Sequence, residues 1–281
     1  MLSKIMILFL FLPYLSFFNN ISYVGSYSDN ITLYVGGTGP GNYTSIQQAI
    51  DNASNGDTVF VYHGLYVEHI IVDKTINLIG EDRDNTIIDG DNTGNVISIY
   101  SNNVSIREFT IRHSGIGNAG IAIYSNYNNI SYNIITSNLG RGLYISSDSN
   151  KIGYNEVSKN YDGLYIDSNR NLICFNIFSD NSYYGVYVDR DSLNNQFYEN
   201  NFIRNGQHAH DAGEDRWDDG WHGNYWDDYR EIHPEARKIW LKGIWSIPYE
   251  IPGGDNKDNC PLIKPCSKKS GIIEEFYHEV I

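Results

Sequence analysis

The chain has 281 residues, a formal net charge of −14 and a pI of about 4.8. That charge excludes nucleic acid as a partner and works against an anionic membrane surface for the chain as a whole, because both would repel it. Tyrosine is frequent, 23 residues within an aromatic fraction of 14%, and it suits half-exposed strand positions.

Lys4 precedes an apolar run, 5–18, broken by Pro13. The run is short for a membrane span and has the form of a secretory signal, so 1–24 is read as a signal peptide or an uncleaved anchor. No later stretch is apolar enough to span a bilayer, so the expectation is an exported protein: secreted, periplasmic or on the cell surface. A strand is expected at 31–35, followed by a Gly-rich turn and a helix at 45–53. Ser45 and Gln48 form a capping-box pattern there, and Ile46, Ala49, Ile50 and Ala53 make one apolar face. Asn55, Gly56 and Asp57 turn the chain into a strand at 58–62, with further strands at 66–72, 76–79 and 86–88.

From residue 120 one phrase recurs. Gly120, Gly142, Gly163 and Gly185 each open a short apolar alternation and stand 22, 21 and 22 residues apart. After each of these glycines comes an aromatic–Asn pair or its equivalent, ending in Asn133, Asn155, Asn176 and Asn200. Five residues after these stand Asn138, Asn160, Asn181 and Asn205. A fixed period in this range marks a solenoid, and the two-residue alternation marks its units as strands. The expected fold is all-β: a right-handed, single-stranded parallel β-helix, its inward Ile, Leu and Val stacking coil on coil and its asparagines forming ladders. Exposed end-layers invite aggregation, so helix 45–53 is expected to cap one end and a Trp-rich segment the other. The organisation expected is 31–95 for the N-terminal cap and first coils, 96–205 for the repeat coils, 206–265 for the C-terminal cap and 266–281 for a polar tail.

Four segments near the start, Thr44-Ser-Ile-Gln-Gln-Ala-Ile50, Gly56-Asp-Thr-Val-Phe-Val-Tyr62, Gly64-Leu-Tyr-Val-Glu68 and Lys74-Thr-Ile-Asn-Leu-Ile-Gly80, resemble the opening of right-handed β-helix proteins of the NosD-like group. Pectin methylesterases open similarly. Gly223-Asn-Tyr-Trp-Asp-Asp-Tyr229 and Ile247-Pro-Tyr-Glu-Ile-Pro-Gly-Gly254 resemble the closing segment of NosD-like surface proteins. The resemblance implies an exported β-helix associated with carbohydrate or copper. The sequence departs from that pattern at 231–242, where an Asp- and Gly-rich loop able to hold calcium is replaced by other residues.

Three chemistries are candidates. Tyr144, Tyr165 and Tyr187 occupy one slot in successive coils, and with Arg141, Asp162 and Arg170 beside them they could form a platform for the rings of a polysaccharide or other glycan; the competing reading is a ladder that stabilises its own sheet. Glycoside cleavage needs paired carboxylates, but the signatures of polygalacturonase-type and esterase β-helices are missing from the coils. The reading therefore leans to non-catalytic binding, with a carbohydrate-active hydrolase or lyase as one alternative. The other is a metal-handling protein: the segment 206–229 concentrates histidine, acid and tryptophan, and His208, His210, Asp211 and His222 are the candidate ligands for copper or zinc. Both methionines, Met1 and Met6, fall in the signal region, so copper(I) lacks thioether ligands. Cys174 is expected to pack inside a coil, and Cys260 and Cys266 to form a disulfide after export.

Overall fold

In a computed structural model, residues 30–267 are described; the expected leader (1–24) and nearly all of the tail (266–281) lie outside them. Three sheets of nine, eight and seven strands run along the molecule, and beyond the first coil each takes every third strand of the chain. All pairings within these three sheets are parallel, each strand bonding to its equivalent one coil away; for example Leu143 pairs with Leu164, and Leu164 with Val186. This is the parallel β-solenoid that the repeats lead one to expect.

The core follows from the alternation. Ile121, Leu143, Leu164 and Val186 form one column, and Ile123, Ile145, Ile166 and Val188 the next. All eight are fully buried. Between these columns the tyrosines at 144, 165 and 187 face outward.

The corners are made by asparagine. In the column 133, 155, 176, 200, 224, the side-chain oxygen of each Asn after the first accepts the backbone N–H of the one before it, at 3.0–3.1 Å. A second column runs 138, 160, 181, 205, and a third, which the repeats did not announce, runs 128, 150, 171, 195. The corner backbone is buried and cannot enter the sheet ladder, so its groups need another partner. A primary amide supplies both an acceptor and two donors. The residues before Asn133, Asn155 and Asn176 are forced into the left-handed region, with Tyr132, Tyr154 and Phe175 all at φ 59°. Those conformations are costly for non-glycine residues, and the three rings offset part of that cost by stacking at 4.8–4.9 Å.

Both ends are closed. The helix Ile46–Asn52 has Ser45 as its N-cap, and Glu68 accepts from the backbone N–H of Ile46 and Gln47, each at 3.0 Å. Lys74 Nζ donates to the carbonyls of Ile50, Asp51 and Ala53 at the other end. An anion thus sits at the positive end of the helix and a cation at its negative end, both from the next coil. At the C-terminal end a column of rings leaves the core: Phe178, Phe202, Trp226 and Tyr249, with the last two intervals only 4.3 and 4.1 Å. Trp217 stacks on Phe197 at 4.2 Å. Trp217 and Trp226 are buried, but Trp221 is 72% exposed and covers nothing.

Other expectations are corrected in detail. The strand expected at 66–72 is two, Gly64–Val67 and Ile70–Val72, because the chain turns a corner at the residues where Glu68 reaches back to the helix. No disulfide joins Cys260 and Cys266; the Cys266 backbone is instead clasped by the Asn201 side chain, at 2.8 and 3.0 Å. Cys174 is fully buried in its coil, and burial pushes its thiol up to about 12.

Candidate functional site

The recurring glycine explains where chemistry can enter this fold. A Cβ at Gly142 would lie 2.7 Å from the carbonyl oxygen of Gly163 in the next coil and 2.8 Å from the Asn160 amide. No side chain fits while another coil stacks above. At the last coil, between the pairs Tyr184–Gln207 and Val186–Ala209, the residue level with Gly185 is His208. The coil that would exclude it is absent, and the C-terminal cap covers it instead.

His208 is 6% exposed. Its Nε2 lies 2.7 Å from Asp227 Oδ1 and 3.5 Å from Asp228 Oδ1. These carboxylates follow the short strand Tyr225–Trp226, which pairs with Asn201 and Phe202 and so brings them over the end of the coil. Asp227 Oδ2 accepts the Arg204 N–H at 2.9 Å and Asp228 Oδ2 the Tyr249 hydroxyl at 3.1 Å. Asp228 Oδ1 is buried and makes no hydrogen bond. Burial pushes the Asp228 carboxyl up, and the neighbouring His208 opposes that shift. The three side chains line a cleft of about 430 Å³ together with Arg204, Gln207 and Glu231. On the far side of the ring, Asn205 Nδ2 lies 3.3 Å from His208 Nδ1. Its amide is oriented by accepting at Oδ1 from Asn181, so it can only donate there, and the neutral ring carries its proton on Nε2 toward Asp227.

The four ligands expected from sequence are therefore not one site. His208 is in the cleft. His210 lies on the outer sheet, its ring stacked on Tyr187 at 5.0 Å. Asp211 occupies the core slot paired with Val188 and holds Trp217 Nε1 at 2.7 Å. His222 is exposed beside Asp219. Among the described residues the His208, Asp227 and Asp228 ligand atoms form a group lying within 4.8 Å of one another. Two signals in the sequence pointed to it: a histidine in the glycine slot of the fifth repeat, and the Asp-Asp pair that follows the Tyr-Trp strand.

The tyrosine row extends further than expected, from Tyr100 and Tyr124 through Tyr144, Tyr165 and Tyr187 to His210. Tyr165 and Tyr187 are 4.9 Å apart with planes at 22°. Nearly parallel rings at that distance must overlap face to face, so they offer solvent their edges. Tyr144 is tilted 58° from Tyr165. Arg141 lies over both, 5.1 and 4.3 Å from the ring centres. The hydroxyls of Tyr144 and Tyr165 donate to Asp167 and Asp189 at 2.6 and 2.9 Å. Asp162 stands level with Arg141 and accepts the Tyr184 N–H. Arg170 leaves this group and pairs with Asp148 at 2.5 Å.

The family model described as periplasmic copper-binding protein (NosD) matches residues 50–231, more than half of the chain. This chain belongs to the NosD family. No curated protein matches it. Among solved structures, the NosD-family chain is similar to ORF18 of Geobacillus virus E2, at 24% identity and a TM-score of 0.47, over 56% of this chain and 38% of that one. It is also similar to pectin methylesterase from carrot, at 11% and 0.36 over 66% and 70%, and to a PL6-family alginate lyase, at 13% and 0.43 over 69% and 38%. The chain thus spans 38% of the length of the viral protein.

The family's description implies copper, and the cleft can be tested for fit. Ligand bonds of about 2.0–2.2 Å place donor atoms roughly 3 Å apart, and the observed 2.7 and 3.5 Å bracket that spacing. One imidazole nitrogen with two carboxylate oxygens suits copper(II) or zinc and does not suit copper(I). The orphaned Asp228 Oδ1 is an acceptor in want of a cation. Holding one at Nε2 would move the ring proton to Nδ1 and give up the weak Asn205 contact, a small cost. The residues present fit a divalent ion.

Proposed function

We propose that this NosD-family solenoid is an exported, non-catalytic binding protein that takes a divalent transition-metal ion, copper(II) or zinc, in its C-terminal cleft. His208, Asp227 and Asp228 would hold the ion. The observation that carries this reading is the buried Asp228 Oδ1, without a hydrogen bond and 3.5 Å from His208 Nε2 at the wall of an open cleft. A buried carboxylate oxygen without a hydrogen bond is expensive, and a bound cation would remove the cost. The solenoid itself would serve as a rigid mount, since the ligands come from the last coil and the cap.

Titration with copper(II), followed by calorimetry and electron paramagnetic resonance, tests it. One ion per chain is expected, with nitrogen hyperfine coupling, and affinity should fall at least about tenfold in both His208→Ala and Asp228→Asn. Unchanged affinity in both variants overturns the assignment. A polysaccharide held on the tyrosine row is a second reading, favoured by Arg141 and the Asp167 and Asp189 carboxylates beside the rings. The mutual stacking of the ring faces counts against it.

A further inference from the structure

The C-terminal cap carries a feature that the metal reading does not use. Strands Lys238–Ile239 and Ile244–Trp245 pair antiparallel, Lys238 with Trp245 and Ile239 with Ile244, and project the turn between them. At its tip Trp240 is 69% exposed and Leu241 wholly so. The base is rigid. Ile244 and Trp245 are buried, Trp245 stacks on Tyr229 at 5.2 Å, Arg230 lies 5.0 Å over its ring, and its N–H donates to the Pro261 carbonyl at 2.8 Å. The apolar tip is therefore held out into solvent by a folded support.

Its charge is opposite to that of the rest of the chain. Arg237, Lys238 and Lys242 are all exposed, and no acidic residue occurs between Glu235 and Glu250. Lys238 Nζ lies 4.8 Å over the Trp240 ring, placing a cation against the apolar tip. In a protein of net charge −14, this is a local cationic collar around two projecting apolar side chains.

We propose that this hairpin docks the protein on an anionic lipid bilayer. Trp240 and Leu241 enter the boundary between headgroups and acyl chains, and Arg237, Lys238 and Lys242 meet lipid phosphates. Tryptophan and leucine beside lysine and arginine are the residues that partition to that boundary, and each cation near an anionic surface adds attraction. A protein partner would ask for a contiguous face of roughly 800 Å², whereas the tip offers two projecting side chains. Whole-chain charge treats the molecule as uniform; screening over about 8–10 Å lets the tip approach while the acidic body stays off the surface.

Co-sedimentation of the folded protein with phosphatidylcholine–phosphatidylglycerol vesicles tests this. Sedimentation is expected with the mixed vesicles, not with phosphatidylcholine alone, and it should disappear at about 0.5 M salt. The double variant Trp240→Ser/Leu241→Ser should lose about tenfold of the vesicle partition, and Arg237→Gln/Lys238→Gln/Lys242→Gln at least as much. Both alter exposed side chains, and unchanged circular dichroism checks that they fold. Absence of wild-type sedimentation overturns the proposal, as does equal sedimentation of the double variant. Tip-dependent capture of a protein without vesicle binding overturns it in favour of a protein partner.

Discussion

Asn155 shows how one residue type holds this molecule. It is fully buried; its amide nitrogen donates to the carbonyls of Ile130 and Gly153 and to Asn176 Oδ1, and its oxygen accepts the N–H of Asn133. Asn155→Ala would leave the buried Asn133 N–H without its acceptor, at about 1–3 kcal/mol for the orphaned N–H before relaxation. It would also take one donor each from the Ile130 and Gly153 carbonyls and from Asn176 Oδ1, which keeps the Asn155 backbone N–H. A fall in the melting temperature of several degrees is expected by calorimetry, larger than for the same change at a half-buried corner such as Asn126. An equal fall at both sites would show that the column is not what holds the corner. The Asn columns at 133 and 138 were legible in the repeats because the same residue returns at the same interval. The column at 128 was not, since those residues stand among other polar turn residues and only the stacking of corners aligns them.

At the scale of elements, the tyrosine row belongs to the outer face of one sheet. Tyr165 is flanked by Tyr144 at 5.8 Å and Tyr187 at 4.9 Å, is covered by Arg141 at 4.3 Å, and donates to Asp189. Tyr165→Ala should therefore cost about 1–2 kcal/mol of stability through lost ring contacts and the cation–π contact, with the core strand intact because Leu164 and Ile166 remain stacked inside. Thermal denaturation measures this, and a glycan-binding screen on the same variant decides between ladder and platform. Weaker glycan binding with unchanged melting would restore the platform. Periodicity announced that the rings align; it could not say whether their faces point outward or at one another, since side-chain rotation is settled by neighbouring rings and by Asp167 and Asp189.

For the whole molecule, the C-terminal end is where the repeat stops and exceptions accumulate. Two of the three asparagine columns end in a carboxylate: the Asn195 N–H donates to Asp215 at 2.5 Å, and the Asn224 N–H to Asp258 at 2.6 Å. Burial raises both carboxyls to about 7, with Asp211 adding to the rise at Asp215. The folded state thus binds these protons more tightly than an unfolded chain, where the carboxyl titrates near 4. Between about pH 4 and pH 7 the folded chain holds more protons, so this stability is full below about 4 and is lost as pH rises through about 7. The melting temperature should fall between pH 5.5 and pH 8.5, on the order of a few kcal/mol in stability, and Asp215→Asn should flatten the profile by keeping that group uncharged. A profile of the same slope in the variant would place the pH dependence elsewhere.

The sequence alone determined the solenoid, its coil length, the strand alternation, the capping helix and the inward columns, because each of these is local or repeats at a fixed interval. It also showed histidine, acid and tryptophan concentrated in the segment 206–229. Only the tertiary structure decided that His208 parts from His210, Asp211 and His222 and joins Asp227 and Asp228. Those carboxylates arrive from a strand one coil later, and the slot His208 fills exists only where stacking ends. The ends of the helix show the same division: Ser45 was readable as its cap, but Glu68 and Lys74 come from the next coil. A repeat states what every coil shares; what happens at its last coil depends on the segment folded over it.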